Sequence, residues 1–116
     1  MSAARPSARA RRELAATAPL FAALGDATRL RLVARLCAEG PLSISHLTAG
    51  AGVTRQAVTK HLQVLAEAGL ARAAHLGRES IWELEPERLD EARRWLDRIS
   101  AQWDEALGRL RAFVER

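Results

Sequence analysis

A chain of 116 residues fits one domain with a modest core, and a composition 48% apolar and 28% charged is that of a folded globular protein. No apolar run approaches the ~18 residues of a membrane span, the first dozen residues lack the apolar stretch of a secretory signal, and the single cysteine, Cys37, allows no disulfide within the chain, so the expected setting is cytoplasmic with no membrane partner. The net charge of +4 is uneven: residues 1–78 carry eleven Lys/Arg against four Asp/Glu, residues 79–116 seven Arg against ten Asp/Glu, and a basic front part suits a polyanionic partner.

In chain order, residues 1–12 hold several arginines and no acid and read as a flexible basic arm; residues 13–116 form the domain. A first helix is expected from about Arg11 to Leu24, with Leu14, Ala18 and Phe21 at helical spacing and Pro19 as a threat to its continuity. Asp26 suits the N-cap of a second helix whose apolar stripe is Leu30, Val33, Leu36 and Cys37; Gly40-Pro41 ends it. Ser43 caps a short third helix with Ile44 and Leu47 inward. Gly50-Ala51-Gly52 makes a turn, Thr54 caps a fourth helix running to Glu67, and Gly69 stops it. Leu70–His75 and Ser80–Leu84 then flank a Gly-containing connection and read as a β-hairpin. Pro86 opens a long last helix, 86–115. The fold class is mainly α with a small β-hairpin, in the order ααααβ-hairpin-α.

The fourth helix carries the chemistry. At ~100° per residue, Arg55, Thr59, Gln63, Gln56 and Lys60 share about 140° of arc, while Val58, Leu62 and Leu65 lie opposite. Arg and Lys suit guanine edges and phosphates, Gln suits adenine, and Thr can meet the thymine methyl. A solvated amphipathic helix has a similar face, but here a short helix and a tight turn precede it, and a hairpin with Arg78 at its tip follows. That order is a helix-turn-helix with a wing. His61 falls on the inner side and reads as a structural histidine.

Gly25-Asp26-Ala27-Thr28-Arg29-Leu30-Arg31-Leu32, Val53-Thr54-Arg55-Gln56-Ala57-Val58-Thr59-Lys60-His61-Leu62 and Leu65-Ala66-Glu67-Ala68-Gly69-Leu70 together resemble the ArsR/SmtB family of bacterial repressors, over roughly residues 13–115. The resemblance implies a winged helix-turn-helix homodimer that binds double-stranded DNA at an operator and releases it on a signal. It places Thr54, Arg55, Gln56, Thr59 and Lys60 toward DNA; the helical face adds Gln63 and the wing adds Arg78.

Metal sensing is a known property of that family, so its ligand positions matter. On the third helix Ser43 and Ser45 stand where the resemblance would place thiolates, and hydroxyls are poor ligands for soft metals. The last helix lacks histidine, and His46, His61 and His75 fall on three separate elements. No metal site and no cofactor are expected. The Gly77-Arg78-Glu79 tip, the Trp82-Glu83-Leu84 strand and the tryptophans of the last helix look like a branch of the family without metal ligands. Thiol-switch members carry two cysteines per chain, whereas Cys37, on an apolar stripe, reads as a buried, inert thiol.

Leu89, Ala92, Leu96, Ile99, Trp103, Ala106, Leu110 and Phe113 alternate in steps of three and four, a seam over more than three heptads. About 28 residues make a helix of ~42 Å, too long for so small a domain to cover. The resemblance puts the first and last helices at the dimer interface, which makes Leu14, Phe21, Leu89, Leu96, Ile99, Trp103, Leu110 and Phe113 the interface set. The overall expectation is a sequence-specific DNA-binding regulator, a repressor on an inverted-repeat operator, with no catalytic residues. A metal- or thiol-responsive sensor, or a winged-helix protein-interaction module without DNA binding, are the alternatives. The effector is open.

Overall fold

The computed structural model describes residues 6–115. Its elements are α1 (Ala8–Leu24), α2 (Ala27–Glu39), β1 (Leu42–Ser43), α3 (Ile44–Thr48), α4 (Arg55–Glu67), β2 (Ala71–Leu76), β3 (Glu79–Leu84) and α5 (Pro86–Val114). The expected order therefore gains one strand. β1 pairs antiparallel with β3, Leu42 opposite Trp82, and the sheet runs β1-β3-β2. A two-residue strand has no periodicity of its own, so only its tertiary partner reveals it.

The capping chemistry sets the helix starts. Asp26 accepts from Arg29 N at 3.0 Å, Ser43 from His46 N at 3.1 Å and Thr54 from Ala57 N at 3.1 Å. Each bond satisfies an N–H that lacks a partner in the first turn. Gly77 has φ +66° and Arg78 does not have positive φ, the sign pattern of a two-residue II′ hairpin turn. The wing tip is therefore Gly77-Arg78 alone, tighter than the four-residue connection expected from sequence.

The start of α1 and the inward face of α2 depart from expectation. The helix α1 starts at Ala8, so residues 8–12 of the supposed arm are helical, while residues 1–5 lie outside the described part. Within it the buried side chains are Thr17, Leu20 and Ala23; Leu14 and Ala18 are exposed and Phe21 is half-buried. Pro19 does not split the helix. In α2 the buried pair is Leu32 and Leu36, while Leu30 and Cys37 are exposed, so Cys37 is not a core thiol. In both helices two apolar stripes compete, and periodicity alone does not say which one the core takes.

The core lies where α2, α3 and α4 meet: Leu32, Leu47, Val58, Leu62, Leu65 and Leu70 are essentially inaccessible, with Leu20 of α1 and Trp82 of β3 closing it. The last helix packs only its first turns there, through Leu89 and Ala92, and then runs out of the body. The radius of gyration is 18.8 Å, against about 13 Å for a compact chain of this length.

Gly69, after α4, has φ +78°, and a Cβ there would lie 3.0 Å from Arg88 Nε and 3.3 Å from Arg88 Cγ. Gly69→Ala is expected to cost about 1–2 kcal/mol from backbone conformation alone, with added cost from displacing Arg88. Urea unfolding of the two proteins measures it; an unchanged midpoint would contradict the left-handed backbone at Gly69.

Candidate nucleic-acid interface

The inner stripe of α4 is Val58, Leu62 and Leu65, all fully buried. Because these three are fixed, the opposite face is fixed too. Arg55, Gln56, Lys60 and Gln63 are exposed, as is Thr54 at the cap. Thr59 is half-buried, and its hydroxyl donates to Arg55 O at 2.9 Å, which leaves its methyl for apolar contact. The structure thus brings the α4 residues singled out from sequence onto one surface, with β2 of the wing packed beside the helix.

Arg78 stands exposed at the wing tip. Among the described residues Arg55, Lys60 and Arg78 have no carboxylate within ion-pair distance. Arg72, farther down the same hairpin, differs: its Nε lies 2.6 Å from Glu83 and 2.8 Å from Glu85. Glu83, by hydrogen bond and charge, raises the Arg72 pKa.

Behind α4 lies a polar cluster that sequence did not reveal as a unit. Arg29 Nε donates to Ala23 O, and its Nη1 lies 3.2 Å from His61 Nδ1. Arginine has only donors, so His61 accepts at Nδ1 and carries its proton at Nε2, an assignment made from the network. Asp26 Oδ2 is 3.8 Å from the same His61 nitrogen. His61 is therefore half-buried and partnered, in keeping with a structural role. These contacts join residues 32 positions apart, and no local pattern announces them.

The positions weighed as metal ligands are dispersed. Ser43 is a helix cap, Ser45 is exposed, and His46 Nε2 sits 3.4 Å from Glu39. Among the described residues no three His, Cys, Asp or Glu side chains gather in a metal-binding group. No helix of the described residues is long and apolar enough to cross a membrane.

On the far side, Leu14, Leu96, Ile99, Trp103, Leu107, Leu110, Phe113 and Val114 are exposed; Trp103 and Phe113 are 65% and 71% accessible. Leu14 of α1 and Ile99 of α5 line one groove with Trp95, and the Trp95 ring packs tilted against Phe21, with centroids 5.4 Å apart. Phe21 and Leu89 of the expected interface set are half-buried against the chain's own core.

The helix-turn-helix domain family matches residues 24–72. The HTH-type transcriptional regulator Rv2034 of Mycobacterium tuberculosis is 40% identical over 85 residues, 73% of this chain and 76% of that protein. An ArsR-like transcriptional regulator from Rhodococcus sp. RHA1 superposes with a TM-score of 0.71 at 35% identity, over 85% of this chain and 92% of that one. The chain belongs to the ArsR family. It is a winged helix-turn-helix, DNA-binding transcriptional regulator. Another ArsR-type neighbour, the winged helix-turn-helix DNA-binding domain of Mycobacterium bovis Mb0332, is homodimeric; it has a TM-score of 0.64 at 26% identity, over 86% of this chain and 91% of that one.

The N-terminus of α2 is an electrostatic joint in this ArsR-family chain. The backbone N–H of Arg29 and then the Arg29 charge hold the Asp26 carboxyl below its usual range, outweighing its partial desolvation. A depressed folded-state pKa means that the ionised carboxylate stabilises the fold above the unfolded pKa. That contribution is lost as pH falls through the folded one. Asn is as good an N-cap as Asp, so Asp26→Asn isolates the charge. Its melting temperature should lie below wild type at pH 7, and the gap should close below about pH 4. Melts over pH 3–7 test this; a gap independent of pH would show that the charge is irrelevant.

Proposed function

We propose that this ArsR-family chain is a repressor that binds an inverted-repeat operator in double-stranded DNA as a homodimer. The α4 helix lies in the major groove and the wing runs along the backbone. Arg55, Gln56, Thr59, Lys60 and Gln63 meet base edges, with Thr54 near the phosphates at the helix start. Arg78 grips phosphate. The chain has no catalytic activity of its own, and it works in the cytoplasm. The observation that carries the reading is the pairing of an unneutralised Arg/Gln/Lys face with an inner face buried to completion. A protein-contact module has no need of that arrangement.

The homodimer is supported by the exposed seam from Leu96 to Phe113 and by Leu14 beside it. A contiguous apolar surface of this length marks an interaction site, and the M. bovis neighbour is homodimeric. The acids of α5 keep that end from phosphate. Sedimentation at micromolar concentration should give twice the 12.7 kDa chain mass, and Trp103→Glu should shift the protein toward monomer. A monomeric wild type would remove the basis for a two-fold operator.

The division of labour between helix and wing is tested by substitution. A lost base contact is worth ~1–3 kcal/mol and relaxes one position of each half-site. A lost phosphate contact weakens all sequences alike and lowers the salt slope by about one unit per contact. Arg55→Ala should therefore reduce the ratio of operator to random-DNA affinity. Arg78→Ala should lower both affinities together and flatten the slope. Binding to both DNAs over a salt series decides it; an unchanged ratio in Arg55→Ala would mean that α4 does not read bases.

A further inference from the structure

The α3 helix has five residues, far below the ~12–15 at which an isolated helix becomes marginally stable. Its last carbonyls have no partner inside so short a helix. Arg35, from α2, supplies one. Its Nη1 donates to Leu47 O and Ala49 O, each at 3.2 Å, and its Nη2 to His46 O at 3.2 Å. The remaining arm is also engaged, with Nε donating to Glu39 Oε2 at 3.1 Å. Glu39 in turn reaches α3, its Oε1 lying 3.4 Å from His46 Nε2. The guanidinium fork thus closes the C-terminus of α3 from another helix, and it places a cation where the helix dipole favours one.

The location of this clamp gives it a consequence for DNA reading. Ala49 is the C-cap residue of α3, and the turn through Gly50 and Gly52, both at positive φ, leads directly to Thr54 and α4. The turn itself has little to stiffen it: its own backbone bond is Ala51 N to Thr48 O at 3.1 Å. Two anchors therefore define the approach of α4 to DNA, its buried inner stripe and the point where the turn begins. Arg35 holds the second.

We propose that Arg35 is a positioning residue for base recognition, a C-cap provided in trans to α3 that fixes how α4 enters the groove without itself touching DNA. This rests on the reading that α4 contacts bases. A merely structural arginine would, on removal, loosen the whole fold and weaken all DNA binding in step. A positioning residue has a local signature, since phosphate contacts tolerate small shifts that base contacts do not.

Arg35→Met keeps the aliphatic stem and removes the fork. Operator affinity is expected to fall by roughly tenfold, with random-DNA affinity within about twofold of wild type. Amide exchange should accelerate at Ala49 and Ala51 and stay unchanged at Leu62 and Leu65 in the core. Arg35→Lys, a point charge without the fork, should recover only part of the operator affinity. Glu39→Gln, which leaves the fork in place but loosens its fourth bond, should move the ratio the same way by less, and it serves if the Met variant folds poorly. Uniform acceleration of exchange, or operator and random affinities falling together, would overturn the proposal. So would an unchanged ratio in both the Arg35 and Glu39 variants. If Arg55→Ala changes the ratio and these do not, base reading by α4 stands and only the role of Arg35 fails; if none changes it, base reading fails as well.

Discussion

Everything at the surface proposed to face DNA depends on the burial of one three-residue stripe. Val58, Leu62 and Leu65 are inaccessible to solvent, packed in one core cluster with Leu32, Leu47 and Leu70. Each such side chain contributes about 1.5–3 kcal/mol relative to exposure. Rotating α4 by a single residue, about 100°, would bring those side chains out and turn polar ones in. Burying an unpaired cation costs more than the apolar contacts return. The helix therefore has one rotational setting, and the Arg-Gln-Thr-Lys-Gln face is its outward side by necessity. Base reading needs this rigidity, because hydrogen bonds to base edges tolerate little misplacement.

The distribution of charge partners sharpens that surface. Arg72, Arg88, Arg93 and Arg94 each have carboxylate partners at 2.6–2.8 Å. Exposed pairs of this kind contribute little to stability. Their larger effect is to cancel charge, so that the sheet base and the start of α5 project little positive field. Arg55, Lys60 and Arg78 keep theirs. Among the described residues, Arg55, Lys60 and Arg78 are thus part of the basic excess of the first 78 positions that no carboxylate cancels, together with Arg11, Arg12 and Arg31 on α1 and α2.

How much of this was legible in the sequence depends on the range of the interaction. The start of α4 at Thr54, its end at Glu67 and its two faces were all readable, because a cap and a 3.6-residue period are local signals. The hairpin was readable from Gly77. Strand β1 was not, since Leu42 and Ser43 are extended only because Trp82 and Ile81 lie opposite. Cys37 and Leu30 were misplaced because α2 offers two apolar stripes and the core takes Leu32 and Leu36. At the site, the exposed set came from pattern, but its supports did not. Arg29 to His61, Arg35 to the carbonyls of α3 and Arg88 to Ala68 O are arginine–backbone or arginine–imidazole contacts across 11 to 32 positions. Arginines on a helix read from sequence as solvated surface.

The last helix has two roles along its length, and the boundary between them is physical. Up to Ala92 it belongs to the chain's own core, and Arg88 joins it to the end of α4 through Ala68 O, with Nε at 3.3 Å and Nη2 at 3.2 Å. The absent side chain of Gly69 makes that approach possible. From Leu96 onward the apolar side of the same helix is exposed among the described residues, with only Leu14 of α1 beside Ile99. A flexible link between these halves would let each reading head move independently of its twin in the proposed homodimer. An uninterrupted 29-residue helix does the opposite. In that homodimer it would make the spacing between two α4 helices a property of one continuous helix, joined to α4 at one end and to its symmetry mate along the other. Half-site spacing on DNA is fixed by the helical repeat, so a regulator of this size gains from a dimer arm that does not bend.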